Sequence, residues 1–303
     1  MMTPNFFQIY LARIQNYLDQ VLPDQNTHLS PLIPAMRYSL LNGGKRLRAL
    51  LIYATGLALE ADLNLCDIAA ASIEMIHAFS LIHDDLPAMD DDVLRRGIPT
   101  CHIAFDEATA ILAGDALHTE AFDLISHHIP DSNIAVQLIQ TLSRAIGKQG
   151  MVQGQTIDVM SENKSLNLEN LSQMHFLKTG CLIQAAVKMG YVISPRNNLK
   201  NLRNLNSCPL LQALDQYSHA LGIAFQIKDD LLDATSDSKT LGKTAGLDLI
   251  NHKSTFVSLL GIAQAQKELE NKINQAHEAL NSFPELKSSE LINLASYVME
   301  RES

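Results

Sequence analysis

With 303 residues, 47% of them hydrophobic but only 5% aromatic, the chain has material for one large domain or two ordinary ones, and its Leu-, Ala- and Ile-rich composition favours helices over twisted sheets. Its 33 Asp and Glu outweigh 23 Lys and Arg for a formal charge of −10, which argues against nucleic acid or an anionic membrane surface as the main partner and leaves room for a small anion bridged by a cation. Cys66, Cys101, Cys181 and Cys208 are scattered, with no CxxC pair and no Cys/His grouping, so neither a zinc site nor a disulfide framework is expected.

Apolar positions return every three or four residues along most of the length, the period of helices. A first helix is expected near residues 4–22. The start MMTPNFFQIYLARIQ lacks the basic region, apolar run and small-residue site of a signal peptide, and no apolar run reaches the about 20 residues of a bilayer span, so a cytoplasmic protein without a membrane span is expected. After Pro23 come helices near 31–41 and 45–60, divided by Gly43-Gly44. The second of these opens with Lys45 and Arg48 on one face, where N–H groups at a helix start favour anions, although a solvated basic face is the commoner outcome of that geometry. The helix near 65–86 is apolar around most of its circumference from Ala69 to Ile82, as in an element buried within a bundle.

That helix ends in HDDLPAMDDD, residues 83–92, which crowds Asp84, Asp85, Asp90, Asp91 and Asp92 beside an apolar run. Two carboxylates about 4 Å apart repel by about 4 kcal/mol at an effective dielectric of 20, so the cluster needs either solvent around a loop or a hard divalent cation held by oxygen ligands. Pro87 should end or distort the helix and let Asp90 curl back towards Asp84. Helices follow near 106–128, 133–158 and 168–191, punctuated by Gly97-Ile98-Pro99, His128-Ile129-Pro130 and Ser194-Pro195. The next, near 209–234, carries an echo of the first acidic end: FQIKDDLLD (225–233) beside FSLIHDD (79–85). Asp229 and Asp233 are four apart, hence on one helical face, and the two acidic helix ends can face each other across a cavity. A polar segment from Ser236 to Asp248 precedes helices near 252–282 and 287–300, and no long Ser/Gly linker divides the chain, so one all-α domain over 1–303 is expected.

The ordered signatures GGKRLRALL (43–51), HAFSLIHDDLPAMDDDVLRRGIPTCH (77–102), AGDAL (113–117), GQTID (154–158), KTG (178–180) and FQIKDDLLD (225–233) make the chain resemble the short-chain trans-isoprenyl diphosphate synthases, most closely the bacterial farnesyl diphosphate synthases. The resemblance implies an isoprenoid-synthase fold, a helical bundle around a deep central substrate cavity, in a homodimer. It implies Mg²⁺-dependent head-to-tail condensation of isopentenyl diphosphate with dimethylallyl diphosphate and then geranyl diphosphate, with pyrophosphate as leaving group and as the base for the final proton. By family position Asp84, Asp90 and Asp229 are the direct metal ligands, and Asp85 and Asp233 ligate directly or through water. Asp91, Asp92 and Asp230 are expected to be solvated or one step removed from the metal. Arg95, Lys178 and Lys243 match cations holding the allylic diphosphate, whereas Lys45, Arg48, His77 and Arg96 match the isopentenyl diphosphate site. Thr179 and Gln226 match polar groups whose dipoles steady an allylic cation, and His83 is expected to position the neighbouring ligands. Phe79, five residues before Asp84 and therefore about 7.5 Å further along the helix, matches the position that limits product length.

A geranylgeranyl diphosphate synthase would share the site with a deeper cavity. A terpene cyclase should carry an Asn/Ser/Glu-type second motif and would not need GGKRLR, and a non-catalytic regulatory subunit should have lost an Asp or a cation that this sequence retains.

Overall fold

The computed structural model describes residues 4–22, 30–161, 164–197, 208–235 and 254–301. The first helices are α1 (Pro4–Val21), α2 (Leu32–Leu41), α3 (Leu47–Ala58) and α4 (Leu63–Asp84). A small antiparallel hairpin follows, β1 (Leu94–Arg95) with β2 (Ile98–Pro99), in register Leu94 to Pro99. It turns at Arg96 and Gly97, both at positive φ (55° and 78°), as a two-residue hairpin turn requires. Then come α5 (Cys101–Ala104), α6 (Glu107–His128), α7 (Ser132–Ile146), α8 (Met151–Met160) and α9 (Leu168–His175). A π-helical turn at Phe176–Gly180 leads into α10 (Cys181–Val192), followed by α11 (Pro209–Thr235), α12 (Phe256–Leu260), α13 (Ile262–Asn281) and α14 (Ser289–Glu300).

Three expected helices are broken. The span 133–158 divides into α7 and α8 around Gly147 to Gly150, where a Cβ on Gly150 would lie 2.0 Å from the Ala145 carbonyl oxygen. The span 168–191 contains the π-helical turn, and the described part of 252–282 breaks at Gly261, whose φ of 77° a side chain would strain. Side-chain caps start α4 at Asp62, α6 at Asp106, α7 at Asp131 and α9 at Asn167, each accepting from a backbone N–H two or three residues on.

The core is a continuous apolar cluster drawn from nearly every helix, with α4 in its middle. Among the described residues α4 is the one helix long and apolar enough to cross a bilayer, and 72% of its apolar window is buried within the bundle, which marks it as the central core helix. Its polar residues face partners: Asp67 receives Arg13 Nε at 2.7 Å, Arg13 Nη2 at 2.6 Å and the Tyr53 hydroxyl at 2.6 Å, tying α1, α3 and α4 together.

Candidate functional site

The first acidic cluster sits where α4 runs out. Asp84 is the last helical residue and Asp85 the cap. The chain then folds back, with the Asp90 N–H donating to the Asp84 carbonyl at 2.9 Å and the Asp91 N–H, at a φ of 51°, to the Leu86 carbonyl at 3.2 Å. Asp90 is thus returned to Asp84, as Pro87 leads one to expect. The hairpin presents Arg95, whose Nε lies 2.6 Å from Asp85 Oδ1 and whose Nη2 lies 3.3 Å from Asp92 Oδ2. The repulsion among these carboxylates is therefore met within the chain itself, by Arg95 on one side and by Lys178 Nζ, 3.9 Å from Asp84 Oδ2, on the other. Burial still pushes the Asp84 carboxyl up to about 6, with Asp90 adding to the shift and Lys178 opposing it, and burial raises Asp85 against the pull of Arg95.

Lys178 comes from the π-helical turn. A Cβ on Gly154 of α8 would lie 2.2 Å from the Lys178 backbone nitrogen, so Gly154 lets α8 press against that turn and brings Asp158 to Lys178, Oδ2 to Nζ 2.7 Å. Burial works to discharge Lys178, but Asp84 and Asp158 outweigh it and hold the ammonium above the ordinary lysine range. The other half of the turn touches α11: a Cβ on Gly222 would lie 2.8 Å from Gly180 Cα, and at this contact the Thr179 hydroxyl donates to Gln226 Oε1 at 3.4 Å.

The second acidic cluster lies one turn further along α11. Asp229 Oδ1 accepts from Arg301 Nη2 at 2.6 Å, and the same guanidinium donates to the Phe225 carbonyl at 3.0 Å and lies 4.1 Å over the Phe225 ring. Of the two alternatives expected for Asp230, solvated or one step removed from the metal, the structure excludes the first. Asp230 is buried, accepting from Gln226 Nε2 at 3.1 Å and from the Phe256 N–H at 2.7 Å, so it anchors α12 and orients Gln226. Asp233 is 9% exposed, and its Oδ1 is buried without a hydrogen-bond partner among the described residues.

A third cluster is cationic. Gly43 and Gly44, at φ 71° and 104°, lead the chain into α3. The missing Cβ of Gly44, which would stand 2.7 Å from the Arg96 guanidinium carbon, gives that side chain its place. Arg96 Nη1 is held by the carbonyls of Asn42 (3.2 Å) and Gly43 (2.7 Å). Arg46 turns inward to Glu74 at 3.2 Å, while Glu74 also accepts the Ala49 N–H at 3.1 Å, so this member of GGKRLR holds the fold. Lys45, Arg48, His77 and Arg96 remain together, and all four lose proton affinity. Burial is the first cause in each case, taking Lys45 to about 8 with help from Arg301 and Arg96, and Arg96 to about 10 with help from Arg46 and Arg95. Arg48 is lowered, and His77 falls well below its usual value with Arg48 and Arg96 beside it. Arg48 Nε is buried with no partner among the described residues. Burial that penalises the charged form of several neighbouring basic groups, with Arg48 Nε left unpaired, makes a site suited to an anion.

No group of three or more His, Cys, Asp or Glu side chains closes on a single point among the described residues, so metal ligands are not preassembled. The donors nevertheless suit a hard divalent cation: they are carboxylate oxygens only, burial holds the Asp84 carboxyl above its ordinary range in spite of Lys178 and Arg95, and Asp233 Oδ1 lacks a hydrogen-bond partner among the described residues. Phe79 lies half-buried on α4 against His83 and His118. Lys243 lies outside the described residues. Sequence reasoning missed two residues: Asp158, which stands inside GQTID, and Arg301, an isolated arginine near the C-terminus with no motif around it.

A family model described as polyprenyl synthetase matches residues 30–289. The chain is 45% identical over 296 residues to a farnesyl diphosphate synthase of Haemophilus influenzae, covering 96% of each chain. It is 44% identical over 286 residues to that of Escherichia coli, covering 92% of this chain and 91% of the relative. A solved geranyltransferase from Helicobacter pylori, complexed with magnesium and isoprenyl diphosphate, superposes with a TM-score of 0.84 at 35% identity, covering 99% of this chain and 97% of that one.

Proposed function

The chain belongs to the polyprenyl synthetase family, and from that premise we propose that it condenses isopentenyl diphosphate head-to-tail with dimethylallyl diphosphate and then geranyl diphosphate, giving (2E,6E)-farnesyl diphosphate. It is a prenyltransferase with the isoprenoid-synthase fold. The observation that carries the detailed reading is the presence of two kinds of anion site: acidic helix ends suited to a metal-bound diphosphate, and a cationic pocket in which burial lowers the proton affinity of Lys45, Arg48 and Arg96, and in which Arg48 Nε has no hydrogen-bond partner among the described residues.

Asp84, Asp85, Asp90, Asp229 and Asp233 would hold Mg²⁺, which supplies charge neutralisation for the departing diphosphate. Lys178, Arg95 and Lys243 grip the allylic diphosphate and stabilise the charge that develops as its carbon–oxygen bond ionises. Asp158 keeps the Lys178 ammonium charged and aimed at Asp84. Lys45, Arg48, Arg96 and neutral His77 bind the second diphosphate, which stays on its substrate and so requires cations without a leaving-group site. Thr179 and Gln226 turn their dipoles towards the allylic cation, and Asp230 fixes the Gln226 amide. Phe79 forms the floor that stops growth at fifteen carbons. Exposed Ile103, Ile111 and Leu112 on α5 and α6 give a homodimer an apolar face, and the composition suits a cytoplasmic enzyme.

The test is incubation of purified protein with Mg²⁺, dimethylallyl diphosphate and labelled isopentenyl diphosphate, followed by chromatography of the dephosphorylated products. Farnesol is expected as the main product. Geranylgeraniol as the main product, or no product, overturns the reading.

A further inference from the structure

A ladder of rings runs away from the first acidic cluster along the seam between α4 and α6. His83, next to Asp84, is fixed at the top: its Nε2 lies 3.2 Å from the Ile111 carbonyl oxygen, and it occupies the space beside Gly114, where a Cβ would stand 2.3 Å from that nitrogen. One turn down, the Phe79 ring meets His83 edge-on at 4.9 Å and the His118 ring of α6 at 5.0 Å. One turn further along α6, Phe122 meets His118 at 5.5 Å. The rungs are four residues apart on both helices, 79 and 83 facing 114, 118 and 122, so each step is about 6 Å, a span comparable to one five-carbon unit of a prenyl chain.

A phenyl ring stops a growing chain only if it does not swing aside. Phe79 is half-buried on a helix, where its χ1 choices are limited but not unique, so the barrier depends on what stands behind the ring. On its own helix that is His83, and on the opposite helix it is His118. Unlike His83, His118 makes no hydrogen bond to a described residue: its ring contacts are those with Phe79 and Phe122, and burial, with Asp115 opposing and His83 assisting, lowers its proton affinity and favours the neutral ring.

We propose that His118 is a positioning residue for product length: its imidazole, wedged between Phe79 and Phe122, pins the Phe79 ring across the path of the prenyl tail. This rests on the reading of Phe79 as the floor. Removing the imidazole opens a five-atom void on the α6 side, into which the Phe79 ring rotates and through which one further isoprene unit passes.

The test compares products of the parent, His118→Ala, His118→Phe and Phe79→Ala with dimethylallyl and labelled isopentenyl diphosphate, total label consumption reporting that each variant is active. His118→Ser takes the place of the alanine variant should that one fail to fold. The expected result is a rise in the twenty-carbon share of at least about fivefold in His118→Ala and more in Phe79→Ala, with His118→Phe retaining fifteen carbons. If Phe79→Ala lengthens the product and neither small variant at position 118 does, the role of His118 is overturned and the floor stands. If Phe79→Ala still stops at fifteen carbons, the floor reading fails, and a shift in the His118 variants alone overturns the action through Phe79.

Discussion

Lys178 Nζ lies 2.7 Å from Asp158 Oδ2 while standing 3.9 Å from Asp84 Oδ2, so the cation at the first acidic cluster is held in reserve by a carboxylate on a different helix. A lysine paired only to Asp84 would have to be pulled from a ligand whenever metal arrived. Paired to Asp158, it keeps its charge and its place.

Asp158→Asn keeps the shape of that contact and removes its charge. A charge-assisted hydrogen bond is worth about 1.5–3 kcal/mol, so turnover should fall about ten- to hundredfold while the KM for isopentenyl diphosphate moves less than about twofold. Equal losses for both substrates would contradict the assignment. Gly154→Ala forces a methyl against the Lys178 backbone and should cost about 1–3 kcal/mol in a denaturant melt, with a matching loss of turnover.

Asp84 makes the metal-free protein pH-sensitive. Its folded pKa, raised from 3.8 to about 6, means the folded state takes up this proton more readily than the unfolded chain. The group therefore costs nothing at pH values below its unfolded pKa and destabilises increasingly as pH rises through the window between the two values, by about 1–3 kcal/mol at pH 7. Urea melts of metal-free protein should show this loss, and Asp84→Asn should flatten it while lowering turnover by orders of magnitude. An unchanged pH slope in the variant would remove Asp84 as its source.

Lys45, lowered to about 8, should take up a proton when isopentenyl diphosphate binds, because the new anion restores the charged form. Calorimetry at pH 8 in two buffers of different ionisation enthalpy should report about half a proton bound, and Lys45→Arg should report none. The KM for isopentenyl diphosphate should rise above about pH 8 in the parent. Arg48→Ala should weaken the same substrate by about 1.5–3 kcal/mol, whereas Lys178→Ala should act on the allylic one.

Arg301 occupies Asp229 in the structure, with a guanidinium side chain 2% exposed. Arg301→Ala should lower metal-free stability by about 2–4 kcal/mol, since it leaves Asp229 and the Phe225 carbonyl without their donor. Metal and arginine then compete for one carboxylate, so adding Mg²⁺ should raise the Tm of the variant more than that of the parent. Asp229→Ala strands the buried guanidinium, so it should lower Tm as well as turnover. Equal Mg²⁺ shifts in Arg301→Ala and parent would contradict the competition.

Much of this was legible in the sequence because it is local. The apolar periods of α1 to α4 and of α6, the turn-back after Pro87 and the shared face of Asp229 and Asp233 follow from spacing alone, whereas the short helix α5 was not expected. The breaks inside two of the three interrupted helices were marked by Gly147 with Gly150 and by Gly261, but a glycine tolerated in a helix and one that ends it look alike until a neighbour crowds it. The π-helical turn at 176–180 left no pattern, since it owes its form to α8 and α11 pressing on it from both sides. The pairing partners were least visible. Arg95 lies close to Asp85 in sequence, whereas Asp158 with Lys178 and Arg301 with Asp229 are joined only by the packing of distant helices.

The central claim, two diphosphate sites of which one depends on metal, is tested most directly by calorimetric titration of the enzyme with isopentenyl diphosphate and, separately, with a non-ionising allylic diphosphate analogue, each with and without Mg²⁺. Isopentenyl diphosphate should bind in both conditions and be weakened by Arg48→Ala, while the analogue should bind only with Mg²⁺ and be lost in Asp84→Asn. Binding of both ligands that depends equally on Mg²⁺, with each displacing the other, would contradict the account.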